Sequence, residues 1–432
     1  MKIAIIGYAR QGQSTYNYYK DKDADITVCD QKEIDNLPSG VRGRFGENYL
    51  ANLDGFDLIY RSPSVHPRDI VKSNSPSILD KVTSNTNEFF KVCPTKNIIG
   101  VTGTKGKGTT CSLITKMLKA SGFKVHLGGN IGIPPLDMLK DISSEDYVVL
   151  ELANYQLIDI KYSTPIAVCL MVVPEHLNWH GNVEEYIESK KQLFVYQNKE
   201  DKAIYFNDSD YSKEIVGVSH GIKIPYYTPP GAHVEDEYIV IDDKKIIDTK
   251  EIKLLGKHNW QNICAAITAY WQIDQNISAV KHVLTTFTGL EHRLELVRKL
   301  DGVSYYDDSF GTTPETAIVA IEALSQPKVV ILGGSDKGAD YTKLAKLIAS
   351  SDIRSVVLIG QQASRIKQAL KDFRFDKCID GGNSMTEIVN TARSVAKSGD
   401  AVLLSTACAS FDMFKNYEDR GRQFNQAVKA LV

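Results

Sequence analysis

The sequence predicts an α/β protein of parallel sheets covered by helices, divided into about three domains. Three observations carry that prediction. Short apolar runs recur at 2–6, 26–29, 98–101, 147–150, 166–173, 328–332, 355–359 and 401–404. Amphipathic segments lie between them, clearest at 107–120, 182–197, 258–273, 313–324 and 385–397, which is the rhythm of βαβ units. The chain has 432 residues, enough for each third to bury a core of its own. Hydrophobic residues make up 43% and charged residues 24%, a mix that excludes disorder as the main state.

Taken in order, residues 1–93 read as the first domain. The opening strand runs into Gly7-Tyr8-Ala9-Arg10-Gln11-Gly12 and then a helix, and the second strand ends at Asp30. Glycines at such a turn let backbone amides and a helix N-terminus approach a phosphate. The dinucleotide pattern G-x-G-x-x-G needs glycine at position 9, where Ala9 stands. Nicotinamide binding, a related nucleotide-diphosphate site and a purely structural turn therefore all stay open. Asp30 either grips a ribose or caps its own turn.

The second domain, 94–289, starts at Cys93-Pro94 just before a buried strand at 97–102. There follows Gly103-Thr104-Lys105-Gly106-Lys107-Gly108-Thr109-Thr110 and a helix through Ala120. A glycine-rich loop between strand and helix aims N–H groups at phosphates, and Lys107 supplies charge to their β/γ end. The pattern G-x-x-x-x-G-K-[ST] is broken at Val101 and at Gly108, so the usual Mg²⁺ hydroxyl is missing, leaving Thr109, Thr104 or water to supply it. Glu151 closes the run 147–150, where a carboxylate either meets Mg²⁺ or caps the next helix. On position alone His176, after the run 166–173, reads equally as a packed or surface residue, and Lys190-Lys191 as a solvated helix face. Residues 222–250 break the rhythm: Pro229-Pro230-Gly231 precedes an acidic, β-like stretch that looks like an inserted hairpin.

The third domain, 290–432, begins after Thr288-Gly289 and carries the strand series 328–332, 355–359 and 401–404. The net charge is −2, which makes no electrostatic case for nucleic acid or a membrane surface. No apolar run approaches the ~18 residues of a membrane span, and the N-terminus enters a strand at once instead of a signal-peptide core. Cys29, Cys93, Cys111, Cys169, Cys264, Cys378 and Cys408 stand singly, with no C-x-x-C pair. That argues against a disulfide framework or a structural zinc site, and a cytoplasmic protein with reduced thiols is expected.

The motif order resembles the Mur ligase family. Thr102-Gly103-Thr104-Lys105-Gly106-Lys107 is similar to that family's phosphate loop. In order after it come Gly129-Asn130-Ile131-Gly132, Leu150-Glu151-Leu152 with Tyr155-Gln156-Leu157, Glu175-His176-Leu177, Tyr186 to Lys190, and Gly256-Lys257-His258-Asn259. Gly289 to His292-Arg293, Asp308-Ser309, Leu332-Gly333-Gly334 with Asp336-Lys337-Gly338, and Ala409-Ser410-Phe411-Asp412 through Arg420-Gly421 complete the series. Each is weak alone; ten in order are specific. The resemblance implies a Rossmann-like N-terminal domain for a uridine nucleotide, a central P-loop ATPase-type domain and a Rossmann-like C-terminal domain for the amino acid, with the site between them and closure during turnover. The last third looks most like the members that add D-glutamate to UDP-N-acetylmuramoyl-L-alanine; the alternatives are another Mur- or folylpolyglutamate-type ligase, L-glutamate addition included, and a non-catalytic scaffold that binds ATP and UDP-sugars.

The resemblance also assigns roles residue by residue. It implies ATP, two Mg²⁺ ions and an acyl phosphate. Gly103, Thr104, Lys105, Gly106, Lys107, Gly108 and Thr109 would cradle phosphates, and Asn259, Asn262, Arg293 and Asp308 would meet the rest of ATP. Thr109, Glu151, His176 and Lys190 would serve the metal ions, with Lys190 carbamylated. Lys107, Glu151, His176, Lys190 and Arg293 form the implied catalytic set. Arg10, Gln11, Asp30, Gln31, Lys32 and Asn130 would face the uridine substrate. Thr312, Lys337, Ser410 and Tyr417 would hold the amino acid. A monomer without nucleic-acid or membrane partners is expected. Phe310 stands where these ligases usually carry lysine, Ser64 replaces a usual glycine, and Ala153-Asn154 replace a small hydroxyl pair.

Overall fold

The computed structural model describes residues 1–336 and 338–432; of the His258 side chain nothing is stated. Among the described residues three mainly parallel sheets are laid out in chain order, with a small antiparallel sheet after the second. Their central strands are buried on both faces, as parallel sheets covered by helices require, while edge strands such as Arg42–Phe45 are partly exposed. The chain falls into two compact units: Met1–Ile252 with Trp260–Thr285, and Lys253–Asn259 with Thr286–Val432.

The first unit holds two of the large sheets. Lys2–Ile6 is central in the first, between Asp25–Asp30 and Leu58–Arg61, with Arg42–Phe45 and Val82–Thr83 at the edges, all parallel. The glycine turn after Lys2–Ile6 is tight for a packing reason. A Cβ on Gly12 would stand 2.0 Å from the Gly7 carbonyl oxygen, so the helix Arg10–Tyr19 could not seat against the turn with any larger residue there.

In the second sheet the order is Ile222–Tyr226, Lys202–Phe206, Ile166–Cys169, Ile98–Thr102, Tyr147–Glu151 and Val125–Gly129, again parallel. Val101, Val149, Leu150 and Val168 are wholly buried, and each stabilises the core by about 1.5–3 kcal/mol. The expected strand 166–173 stops at Cys169. The reason is hydrogen bonding: Met171 and Val173 leave the sheet to accept from Thr104, the first by its carbonyl from the Thr104 N–H at 3.0 Å, the second from the Thr104 hydroxyl at 2.9 Å. The expected insertion is the antiparallel sheet His233–Glu235, Tyr238–Ile241 and Lys244–Asp248, although Ile222–Tyr226 belongs to the parallel sheet before it.

The second unit carries the order Glu295–Leu300, Val303–Asp307, Ala401–Leu404, Lys328–Gly333, Ile353–Ile359 and Cys378–Asp380; the first pair is antiparallel and the rest parallel. Helix starts follow their capping residues. Asn182 accepts from the Glu185 N–H ahead of Val183–Val195, and Asn416 from the Asp419 N–H ahead of Tyr417–Ala430. No helix among the described residues is long and apolar enough to cross a membrane.

Candidate active site

Three neighbouring strands of the second sheet deliver the site at their carboxyl ends, where open parallel sheets bind ligands. Val101 lies opposite Glu151 and Thr102 opposite Cys169. The glycine loop, the Glu151 carboxylate and the segment leading to His176 therefore leave the sheet side by side. Gly103 has φ +142° and Gly106, the residue capping the helix Lys107–Ala120, has φ +86°. Both values lie in the region that favours glycine. Space gives a second reason: a Cβ on Gly106 would meet the Asn262 side-chain oxygen at 2.0 Å. Asn262, expected to contact ATP, is thus packed on the loop itself.

Thr104 anchors the loop. Its hydroxyl contacts the Val173 carbonyl at 2.9 Å, accepts from the Val173 N–H at 3.0 Å and pairs with the Tyr186 hydroxyl at 2.8 Å. That oxygen is fully engaged in holding the loop, while Thr109 is 3% exposed in the first turn of the helix Lys107–Ala120. Lys107 folds over the loop: its Nζ lies 3.1 Å from the Gly103 oxygen and 2.9 Å from the Thr104 oxygen.

Lys190 reaches the same carbonyl. Its Nζ donates to the Gly103 oxygen at 3.1 Å and stands 4.6 Å from the centre of the Tyr186 ring. The side chain is completely buried, not a solvated helix face. Burial, reinforced by the Lys107 ammonium, holds its pKa down to about 7. Glu151 is 6% exposed and accepts from the Asn130 side-chain amide at 2.8 Å. The Asn130 backbone N–H also bonds the Glu151 carbonyl at 2.8 Å, so Asn130, expected on the substrate side, also orients this carboxylate.

His176 is exposed and has φ +59°, an uncommon conformation for a non-glycine residue. It caps the single helical turn Leu177–His180. Glu175 lies between it and the loop, 2.5 Å from the Lys105 Nζ and 3.5 Å from the His176 Nε2. Partial burial lowers the imidazole pKa; Glu175 opposes that shift, while Lys105, Lys107 and Lys190 add to it. The Tyr155 ring stands 5.1 Å from His176 and 4.8 Å from Trp179.

The other expected residues divide between the two units. In the first, Arg10 donates to the Gly132 carbonyl, and Asp30 accepts from the Tyr8 N–H of the glycine turn at 2.9 Å and from the Lys32 N–H of its own turn at 3.1 Å. Gln11 has a buried side-chain oxygen with no hydrogen-bond partner among the described residues; Gln31 and Lys32 are exposed. In the second, the Asn259 side chain donates to the Leu255 carbonyl at 2.6 Å. The Arg293 guanidinium lies 4.2 Å from the Phe310 ring centre, and the Tyr417 ring meets Phe310 edge-on at 5.2 Å. Asp308 is 6% exposed and bonds the Ser405 hydroxyl at 2.7 Å; burial pushes its pKa up to about 7, against the lowering effect of Ser405 and Arg293. Ser410 is buried and Thr312 half-buried. Lys337 lies outside the described residues. Sequence reasoning missed the anchoring role of Thr104 and Tyr186, the link through Glu175, and the contacts of His66 and Arg68. Thr104, Glu175 and Tyr186 carried a signal, as members of the ordered motifs; His66 and Arg68 carried none.

The Mur ligase middle domain profile matches residues 101–270, and that of the Mur ligase, glutamate ligase domain matches residues 292–408. The UDP-N-acetylmuramoylalanine–D-glutamate ligase of Clostridium tetani is 35% identical, covering 100% of this chain and 97% of the relative. That of Acetivibrio thermocellus is 36% identical, covering 100% and 96%. Among solved structures, the UDP-N-acetylmuramate–alanine ligase of Thermotoga maritima aligns with a TM-score of 0.61 at 16% identity, over 100% of this chain and 99% of that one, a likeness of fold.

Proposed function

The chain belongs to the Mur ligase family, and we propose that it is an ATP-dependent ligase joining D-glutamate to UDP-N-acetylmuramoyl-L-alanine in peptidoglycan precursor synthesis. The observation that carries this reading is the meeting of the Lys107 and Lys190 ammoniums at the Gly103 carbonyl, beside a buried carboxylate at the sheet's carboxyl edge.

A carboxylate and an amine do not condense in water until the carboxylate is activated. In this reading an oxygen of the L-alanyl carboxylate attacks the γ-phosphorus of ATP. The P–O bond to the β-phosphate breaks, leaving ADP and an acyl phosphate. The free amine of D-glutamate then attacks the acyl carbon, the C–O bond to phosphate breaks, and the nitrogen loses a proton. Such transfer depends on positioning and charge neutralisation more than on protein nucleophiles. Lys107 holds the β/γ-phosphates, with Gly103, Thr104, Lys105, Gly106, Gly108 and Thr109 as their cradle. Asn259, Asn262 and Asp308 orient the nucleotide, and Arg293 adds a fixed cation. Arg10, Gln11, Asp30, Gln31, Lys32 and Asn130 are assigned to the uridine substrate, and Thr312, Lys337, Ser410 and Tyr417 to glutamate.

The donors around the loop suit Mg²⁺ in part. Glu151 offers a buried oxygen anion and His176 an imidazole whose lowered pKa favours the neutral form. Lys190 as an ammonium does not suit a cation. With its pKa near 7 a large fraction is free amine at neutral pH, and that amine adds CO₂ to give a carbamate and a proton. The carbamate is an oxygen ligand. Bound Mg²⁺ would supply charge neutralisation at the transferring phosphoryl group.

The deciding experiment is phosphate release from MgATP with UDP-N-acetylmuramoyl-L-alanine and each glutamate enantiomer, with single omissions. Release that needs both co-substrates and D-glutamate is expected. Release only with L-glutamate would replace the amino acid assigned here, and release indifferent to either co-substrate would overturn the ligase reading.

A further inference from the structure

One helical turn, Leu177–His180, carries His176 at its start. A single turn leaves its last carbonyls without intrahelical partners and has little stability of its own. Its partners come from a segment more than a hundred residues earlier in the chain. Arg68, in the helix Pro67–Lys72 of the first sheet's body, donates through Nη2 to the Trp179 carbonyl at 2.5 Å and to the His180 carbonyl at 2.8 Å. The same nitrogen lies 2.8 Å from a Glu185 carboxylate oxygen. Trp179 returns a bond from its indole N–H to the Ser64 carbonyl at 3.2 Å, and its ring lies 4.3 Å from the His66 ring. Gly181 closes the turn, and a Cβ there would stand 3.1 Å from the Arg68 Nη1.

Behind this clamp, His66 and His180 each aim a ring nitrogen at Glu185, at 3.3 Å and 3.7 Å. The three donors lie within 4.8 Å of one another, close enough to suggest a metal site. The tautomer argues otherwise. The Arg68 backbone N–H donates to the His66 Nδ1 at 3.0 Å, so in the neutral ring the proton sits on the Nε2 that faces Glu185, and no lone pair is offered to a cation there. The trio is a polar cluster packed under the turn, its contacts to Glu185 electrostatic.

We propose that Arg68 is a positioning residue for His176, holding the turn that presents this imidazole to the phosphate loop. The proposal rests on reading His176 as part of the metal-binding set. It makes the body assigned to the uridine nucleotide a structural support of the ATP-site imidazole, with the Arg68 guanidinium as the link to the turn's carbonyls.

The test compares Arg68→Met, Arg68→Lys and His176→Ala in the phosphate-release assay, with Mg²⁺ and ATP titrated separately. R68M is expected to lower kcat by roughly 10- to 100-fold, the usual loss when a group orienting a metal ligand is removed. It should also raise the Mg²⁺ concentration needed for half-maximal rate, with the KM for ATP held within about twofold because the loop's own anchors are untouched. R68K keeps a donor for the carbonyls and should recover part of both losses. An R68M protein with unchanged kcat and Mg²⁺ response, alongside an inactive H176A, would overturn the proposal. So would a rise in the KM for ATP equal to the loss in kcat, the mark of general damage. An H176A protein with full activity would instead overturn the reading of His176. Should R68M fail to fold, R68K against the parent carries the same comparison.

Discussion

Replacing Lys190 by methionine should make the protein more stable while abolishing its activity, and the gain should depend on pH in a defined direction. The Lys190 side chain is fully buried, and burial holds its pKa down from 10.5 to about 7. That fall corresponds to about 5 kcal/mol of unfavourable burial of the charged form. The sign follows from counting protons. Between pH 7 and 10.5 the unfolded chain keeps the lysine proton and the folded chain releases it, so stability rises with pH across this window. The cost is fully present below about pH 6, about 4 kcal/mol at pH 7, about 2 kcal/mol at pH 9, and gone above the unfolded pKa. Methionine has similar length and no charge to bury. K190M should therefore unfold at higher urea than the parent at pH 6, with the difference shrinking steadily toward pH 10. Tryptophan fluorescence suits the assay, because Trp179, Trp260 and Trp271 all lie in the compact unit that contains Lys190. The buffers should be free of CO₂; adding bicarbonate should then stabilise the parent and leave K190M unmoved. A stability difference that is flat from pH 6 to pH 9, or a variant less stable at pH 6, would refute the reasoning.

Three further outcomes follow from the same geometry. Thr104→Val removes the hydroxyl that serves both polar groups of Val173 and the Tyr186 hydroxyl; it should cost about 2 kcal/mol in urea unfolding and raise the KM for ATP. Phe310→Ala removes the ring under the Arg293 guanidinium; steady-state kinetics should show kcat reduced by about 2- to 30-fold, the range of a cation–π contact, with Phe310→Trp retaining most activity. Asp308 has its folded pKa raised to about 7, chiefly by burial, so the folded chain holds a proton that the unfolded chain releases between pH 4 and 7. Its burial therefore becomes more costly as pH rises through that window, and Asp308→Asn should raise the thermal midpoint at pH 8 and leave it nearly unchanged at pH 4.

Much of the fold was legible because it is periodic. The runs at 2–6, 98–101, 147–150 and 401–404 became the strands Lys2–Ile6, Ile98–Thr102, Tyr147–Glu151 and Ala401–Leu404. They are continuous apolar runs because both faces are covered. Strands with weaker runs were not legible. Arg42–Phe45 lies at a sheet edge and is largely polar, and Val82–Thr83 is only two residues long. The end of Ile166–Cys169 was misjudged for a different reason. Apolarity continues through Val173, but the backbone there is taken by Thr104, and a hydrogen-bond partner in another segment leaves no trace in local sequence.

The site shows the same divide between what a motif records and what a fold adds. Glycine at 103 and 106 is demanded by backbone angle and close approach, so the loop announces itself in sequence. Lys190 is different: its helix position alone reads as solvated, and only the fold shows that its ammonium is buried against the Gly103 carbonyl. Buried charge is costly, and here the cost falls on the residue for which carbamate formation is proposed, a step that needs the free amine. His176 carries the argument one step further. Its position depends on carbonyls of the turn Leu177–His180, and two of those are held by Arg68, whose sequence neighbourhood signals only a helix start at Pro67. A residue that acts through another's backbone has no motif of its own. Arg68 can be recognised only where the chain brings its guanidinium to the turn, and this is why its substitution by lysine, which preserves a charge but not the planar fork, is the informative change.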